Sequence, residues 1–358
     1  MSIHFHPLTV KEVKKETSEC VSVLFDVPEA LKKSFSFTHG QSLTMRVNIN
    51  GTEVRRTYSI CSSPFEKELR IAIKKVGGGL FSTYANEQLK KGDVLDVMEP
   101  VGKFNTPLFP SQKKKYVAFA AGSGITPVLS IIKTTLQTEP ESIFTLVYGN
   151  QSRGSVIFFE ELEGIKNKYI DRFNLIHIFS REKTDTELNF GRISENKLKE
   201  LKKLVEYKTI DEFFLCGPEE MIFCVKNFLE TGGIDKEKIH FELFASSGQK
   251  TILNKKQVVE TSSVQSNITI KLDGRTLHFN LPLNSKTTIL DGALKQGADL
   301  PYACKGGMCC TCKAKLLEGK VSMDVHWGLE DDEVKKGYIL TCQSHPQTET
   351  VVVDFDLR

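Results

Sequence analysis

The sequence predicts a multidomain chain: an antiparallel barrel of short strands, then an α/β domain with a parallel sheet, then a small module rich in cysteine. Three observations carry this prediction. At 358 residues the chain exceeds what a single hydrophobic core usually serves, about 250 residues. Near residue 113 its apolar pattern changes from evenly spaced short strands to strands alternating with amphipathic stretches. Four of its nine cysteines fall within "CKGGMCCTC", Cys304 to Cys312.

The barrel is assigned to residues 1–108. Its strands are "TVKEVKK", "CVSVLFDVP", "SLTMRVNI", "LRIAIKKV" and "DVLDVME", parted by Gly, Pro, Asn and Ser turns. Such spacing, interrupted by one helical patch, "LFSTYANEQLKK", is that of an antiparallel barrel. Residues 113–245 then pair apolar strands with helices: "YVAFAAG" with "ITPVLSIIKTTLQ", "SIFTLVYGN" with "SVIFFEELEGIKNKY", "FNLIHIFS" with "SENKLKELKKLV", and "DEFFLCG" with "PEEMIFCVKNFLETG". "IHFELF" adds a strand. Strands this dense in Val, Ile, Leu and Phe are covered on both faces, which indicates a parallel sheet.

A Ser-, Thr-, Gln- and Lys-rich stretch over 246–265 reads as a linker. Within 266–358, "ITIKLDGRTLHFNLP" is a strand pair about the Asp273-Gly274 turn. A helix is expected from about Thr288 to Gln296, and "VVVDFDL" reads as a strand.

Charge excludes more than it assigns. With 48 Lys and Arg against 45 Asp and Glu, the near balance gives no general reason to expect nucleic acid, whose backbone needs a concentrated basic face. The densest run, Lys113 to Lys115, leads into an apolar strand and reads as solvated. Neither an export signal nor an apolar run of about 18 residues is visible, so no membrane contact is expected and the cytoplasm is the expected compartment. In a reducing compartment, an odd number of cysteines reads as thiols and ligands rather than bridges.

Cys304, Cys309 and Cys312, with Cys342 further on, follow C-x4-C-x2-C…C, the spacing of plant-type binuclear iron–sulfur clusters. Gly306 and Gly307 let backbone N–H groups approach the sulfurs. A zinc site of four cysteines competes, but it favours two separate knuckles and only Cys309 with Cys312 makes one. A redox dithiol at that pair would leave Cys304 and Cys342 without a role. Cys310 is expected to be a small packed thiol pointing away from the ligands, and Cys20, Cys61 and Cys224 to be core fillers.

The cysteine loop with its Asp273-Gly274 surroundings resembles plant-type [2Fe–2S] ferredoxins, and "RRTYSI" resembles the flavin signature of the ferredoxin–NADP+ reductase superfamily. The whole chain is similar to reductase components with the domain order flavin, nicotinamide, ferredoxin, including those serving bacterial phenylacetyl-CoA epoxygenase. That resemblance implies a six-stranded FAD-binding barrel, an NAD(P)H-binding α/β domain and a β-grasp ferredoxin domain whose cluster ligands are Cys304, Cys309, Cys312 and Cys342. It also implies an oxygenase partner, with phenylacetyl-CoA epoxygenase of phenylacetate degradation as the expected one. Another ring-hydroxylating oxygenase or monooxygenase, or a bare electron carrier, is the alternative.

Residue by residue, the resemblance gives Arg56, Thr57, Tyr58 and Ser59 to the flavin: a guanidinium for the pyrophosphate, a ring for the isoalloxazine, and a hydroxyl near N5. On a half-buried strand alone, Arg and Tyr are usually surface residues. The glycine-rich stretch that follows, with Gly78, Gly79 and Ser82 opening a helix, completes a phosphate clamp, while Ile73 and Lys74 run beside the flavin. By itself it would be a hairpin turn with a Ser cap.

"AAGSGITPVLS" lacks the G-x-G-x-x-G fingerprint. Its Gly122, Gly124, Thr126 and Pro127 nevertheless stand at the carboxyl end of a first strand, where open α/β sheets bind ligands. They resemble the family's nicotinamide pyrophosphate loop. "CGPEEM" resembles its second nicotinamide element, with Cys216 near the transferring carbon and Gly217 and Pro218 shaping the turn. Ser180 and Arg181, assisted by Arg153, stand where related enzymes hold a 2′-phosphate, which favours NADPH, with NADH possible. Tyr58, Ser59 and Cys216 are thus the expected catalytic group, and the implied chemistry is the splitting of hydride into single electrons.

Overall fold

The computed structural model describes residues 4–244 and 264–357. The predicted linker lies outside the described residues except for Val264 and Gln265, and Gln265 already opens a strand. The described chain forms two compact units, one holding most of residues 6–244 and one built on 264–357.

In the larger unit the barrel strands are β1 (Phe5–Thr17), β2 (Cys20–Asp26), β3 (Ser42–Ile49), β4 (Thr52–Ser59), β5 (Leu69–Lys74) and, after helix α1 (Leu80–Glu87), β6 (Val94–Met98). They form one six-stranded sheet in the order β4-β3-β6-β1-β2-β5. An antiparallel bridge between Ile60 and Ile71 joins its two edges and closes the barrel. Alternating side chains such as Leu8, Val10, Val23, Leu43, Met45 and Ile71 fill the interior. The sixth strand, β4, is not among those that apolar alternation reveals. Two residues of positive φ, Asn50 and Gly51, turn it back from β3, as an Asn-Gly hairpin requires.

The α/β layer runs β7 (Lys115–Ala121), α2 (Ile125–Thr138), β8 (Ile143–Asn150), α3 (Phe159–Lys168), β9 (Phe173–Phe179), α4 (Glu195–Leu201), β10 (Glu212–Gly217), α5 (Glu219–Thr231) and β11 (Ile239–Leu243). Its sheet order is β11-β10-β7-β8-β9, with every pair parallel. The order reverses beside β7, so the crevice of this doubly wound sheet opens at the carboxyl ends of β7 and β10. Helix α3 begins later than its apolar pattern suggests. Val156, Ile157 and Phe158 are buried in the core, and Phe158 has a φ of 62°, so this run is a buried loop before the helix.

The smaller unit contains β12 (Gln265–Leu272), β13 (Arg275–Pro282), α6 (Ile289–Lys295), β14 (Lys313–Glu318), β15 (Val321–Met323), α7 (Asp331–Lys335), β16 (Tyr338–Leu340), β17 (Ser344–Pro346) and β18 (Thr350–Asp354). A five-stranded mixed sheet, β13-β12-β18-β14-β16, grasps α6, and β15 pairs with β17. The Asp273-Gly274 turn joins β12 to β13 as read from the sequence. Thr288 caps α6 by accepting from the Asp291 N–H. This is the β-grasp arrangement, with its core on Ile268, Leu290, Ala314, Val351 and Val353.

Candidate functional site

Two sites emerge, one in each unit. In the larger unit, Ser59 ends β4 and is buried. Its hydroxyl donates to the Glu242 carboxylate at 2.9 Å. Glu242 stands on β11 directly opposite Cys216 of β10 in the parallel ladder. A barrel strand and the ends of two sheet strands therefore place Ser59, Glu242 and Cys216 together. Burial pushes the Glu242 carboxyl up to about 7, against a smaller lowering by the Ser59 hydroxyl. Burial, reinforced by Glu242, also raises the Cys216 thiol well above its ordinary range. At neutral pH this is a protonated thiol beside a carboxyl poised between its two states.

Sequence reasoning misses Glu242. "IHFELF" reads as strand alternation, and nothing local marks its glutamate as different from a surface residue.

Tyr58 lies half-buried one residue before Ser59 and packs its ring against Phe81 of α1, tilted by 36° with centroids 5.6 Å apart. Arg56 and Thr57 precede it on the same strand, and the Arg56 guanidinium donates to the Arg55 carbonyl at 2.7 Å. The glycine turn before α1 is ordered from within. The buried Ser82 hydroxyl accepts from the Val76 N–H and donates to the Gly79 carbonyl, at 3.1 and 3.2 Å. Gly79 is the N-cap of α1, and Gly78 has a φ of 73°. Ser82 thus fixes the loop, leaving backbone N–H groups as the available anion donors.

Ile73 is fully buried on β5. The neighbouring Lys74 sends its ammonium to within 3.6 Å of where a side chain on Gly122 would lie. It therefore faces the loop after β7 as well as the barrel.

That loop is held against β10. Any Cβ on Gly124 would lie 2.0 Å from the Cys216 carbonyl oxygen, so glycine is the residue that allows the contact. Gly122 to Gly124 form a 3-10 turn leading into α2. There the Thr126 hydroxyl donates to the Ser123 carbonyl at 3.0 Å, and Thr126 and Pro127 are buried in the first turn. Gly217 ends β10 and Pro218 caps α5.

The loops after β8 and β9 lie side by side. Ser180 and Arg181 donate backbone N–H bonds to Asn150 and Gln151, and the Arg153 N–H donates to Glu182 at 2.8 Å. The Arg153 guanidinium covers the Phe159 ring at 4.7 Å, while Arg181 is exposed. This gathers Ser180, Arg181 and Arg153 at one edge and engages Glu182 with the backbone.

In the smaller unit all four predicted cysteines converge on one loop. The Cys304 sulfur accepts N–H bonds from Gly306 at 3.3 Å and Cys309 at 3.5 Å. The thiols group two and two. A hydrogen bond from Cys309, with backbone N–H groups, lowers Cys304, and one from Cys312 lowers Cys342. A four-sulfur donor set in two pairs, with N–H groups aimed at sulfur, fits a binuclear iron cluster.

Cys310 has a φ of 52° and turns its thiol to the Gly328 carbonyl at 2.6 Å, away from the ligand role as read from sequence. Cys20 and Cys61 are buried and Cys224 partly so. All nine cysteines are unbridged. Among the described residues no helix is long and apolar enough to cross a membrane.

Comparison with known proteins matches three family descriptions in the same order as the folds: Oxidoreductase FAD-binding domain over 7–106, Oxidoreductase NAD-binding domain over 119–227, and 2Fe-2S iron-sulfur cluster binding domain over 270–347. The chain is 45% identical over 355 residues to a subunit of the 1,2-phenylacetyl-CoA epoxidase of Escherichia coli (strain K12), covering 99% of this chain and 98% of that protein. It is 33% identical to the ferredoxin reductase component of 3-ketosteroid-9-alpha-monooxygenase from Rhodococcus rhodochrous, covering 97% and 96%. Its fold matches that of phthalate dioxygenase reductase with a TM-score of 0.60 at 23% identity, covering 98% of both chains. The chain is accordingly an oxidoreductase of FAD, a nicotinamide cofactor and a [2Fe–2S] cluster, and it belongs to the oxygenase reductases of the ferredoxin–NADP+ reductase superfamily that carry a C-terminal plant-type ferredoxin domain.

Proposed function

We propose that this protein takes hydride from NADPH and delivers single electrons to the oxygenase component of a phenylacetyl-CoA epoxidase, in the cytoplasm, as a step of phenylacetate catabolism. The observation that carries the reading is the meeting of Ser59, Glu242 and Cys216 at the crevice of the sheet. It puts the end of the flavin strand against the strand ends where a nicotinamide would lie. Whole-length similarity to a phenylacetyl-CoA epoxidase subunit supports the choice of partner, and unbridged thiols support the compartment.

FAD, when bound, supplies the exchange between a two-electron donor and the one-electron cluster. Arg56 and the glycine turn at 78–79, shaped by Ser82, hold its pyrophosphate, with Thr57, Tyr58, Ile73 and Lys74 along its length. Ser59 stands at the reacting edge, and Glu242 holds or releases a proton at its carboxylate through the Ser59 hydroxyl. Gly122, Gly124, Thr126 and Pro127 seat the dinucleotide pyrophosphate, and Cys216, Gly217 and Pro218 form the wall beside the nicotinamide. Lys74, facing the Gly122 loop, adds positive charge where phosphate collects.

Arg181, Ser180 and Arg153 receive the 2′-phosphate, and the carboxylate of Glu182, the nearby acid that would suit a free ribose hydroxyl instead, accepts the Arg153 backbone N–H. Cys304, Cys309, Cys312 and Cys342 hold the cluster. Positioning, rather than acid–base attack on a substrate, carries the rate.

Kept free of oxygen, purified protein given NADPH should lose both flavin and cluster absorption; with oxygen admitted and the epoxidase oxygenase component added, it should support phenylacetyl-CoA-dependent NADPH oxidation. Bleaching without coupled oxidation would keep the reductase and remove this partner. Equal turnover with NADH and NADPH would remove the cofactor preference.

A further inference from the structure

One side chain joins the two parts of the cluster site. Gln343 directly follows the fourth cysteine, and its amide nitrogen donates to the Lys305 carbonyl at 2.8 Å and to the Cys342 carbonyl at 2.9 Å. The same nitrogen lies 3.7 Å from the Cys342 sulfur. An amide carries two N–H donors, so the two carbonyls take the short bonds and the sulfur receives a longer, shared contact.

The stem of the side chain is fitted as closely. A Cβ on Gly307 would lie 3.1 Å from the Gln343 Cγ and 2.7 Å from Val325. Gly307 itself has a φ of 73°, and Lys305, whose carbonyl is held, has a φ of 50°. A left-handed lysine is an uncommon backbone state that its surroundings must hold in place. Here a hydrogen bond from a residue 38 positions away does so. Gln343 is further fixed by its own backbone, with its N–H on the Leu340 carbonyl and its carbonyl accepting from the Asp324 N–H.

We propose that Gln343 is a positioning residue for the iron–sulfur cluster. Its amide clamps the loop carrying Cys304, Cys309 and Cys312 onto the segment carrying Cys342, and it presents an N–H dipole to the Cys342 sulfur. The inference rests on the reading of these four cysteines as the cluster ligands. Two consequences follow from the geometry. Without the clamp, the loop and the fourth ligand separate more readily and the cluster is lost faster. Without a donor near sulfur, added negative charge on the cluster is less well accommodated and its reduction potential falls.

The experiment compares the full-length protein with Gln343→Leu, Gln343→Glu and Gln343→Lys. Cluster loss is followed by visible circular dichroism under excess chelator, and potential by EPR-monitored titration. Flavin content and ferricyanide reduction report on the rest of the molecule. Iron and sulfide analysis of the unaltered protein comes first: absence of both would refute the ligand reading itself, independently of Gln343.

With the cluster present, Leu and Glu should speed its loss by about 10-fold or more and lower its potential, Glu furthest, with flavin content unchanged. Lys retains donor hydrogens at similar reach and should restore retention. Leu losing cluster at the unaltered rate with the same potential would overturn the proposal. So would Lys failing as badly as Leu, which also decides the matter if the Leu protein holds no cluster at all.

Discussion

The proposed hydride site and the proposed cluster loop are built in opposite ways. Three of the four cysteines proposed as ligands lie within nine residues, and the loop's own N–H groups address the Cys304 sulfur. The proposed hydride site draws Ser59, Cys216 and Glu242 from three strands spread over more than 180 positions. A local site depends on spacing and on side chains of fixed chemistry. A dispersed one depends on sheet register, so it is broken by backbone changes that leave its chemical groups untouched.

The sharpest way to test that contrast is to remove a ligand. Cys304→Ser or Cys342→Ser should abolish electron delivery to the oxygenase, by more than about 100-fold, while ferricyanide reduction through the flavin stays within about twofold. Parallel loss of both activities would mean that the two sites are not separable.

A backbone change should do the reverse. Gly124→Val forces a Cβ to 2.0 Å from the Cys216 carbonyl, so it should destabilise the larger unit by about 2–4 kcal/mol and remove NADPH oxidation. The circular dichroism bands of the cluster should survive. A variant as active as the parent would show that the β7 and β10 ends tolerate separation.

Arg181→Ala is a smaller change at the rim. It should weaken NADPH by about 1.5–3 kcal/mol, the worth of a charge-assisted bond, with NADH unaffected, as steady-state KM values would report. Matched losses would place the 2′-phosphate elsewhere.

At Glu242 the effect is on stability rather than turnover, because burial pushes its folded carboxyl up to about 7, above its ordinary value of 4.5. A raised carboxyl contributes most at low pH. Relative to Glu242→Gln, the parent should lose stability as pH climbs from about 4.5 to about 7, with no further change above. Thermal melts at pH 5, 6, 7 and 8 measure this, and a gap that does not vary with pH would contradict the assigned environment.

The same contrast decides what can be read from sequence. The gathering of Cys304, Cys309, Cys312 and Cys342 is legible because sulfurs at that spacing have few other uses. The parallel sheet is legible because its strands are apolar throughout, and the Asp273-Gly274 hairpin because that dipeptide suits positive φ. Strand β4 escapes the apolar pattern because Glu53, Arg55, Arg56 and Thr57 interrupt it. The Asn50-Gly51 turn is the signal that finds it.

Glu242 cannot be found at all from sequence, since its meaning depends on lying opposite Cys216 and under Ser59. Nor can the engagement of Ser82 within its own loop. Spacing identifies groups that act together within a few residues, whereas register is settled only when strands pair.

Strand β18 lies in the middle of the smaller sheet, parallel to β12 and antiparallel to β14. During translation, the barrel and α/β layer can finish while later codons are still being read. The grasp around α6 stays open until residue 354 has left the ribosomal tunnel. Iron loading is therefore a late event in the protein's life, and a nascent chain stalled before Thr350 should carry flavin without metal.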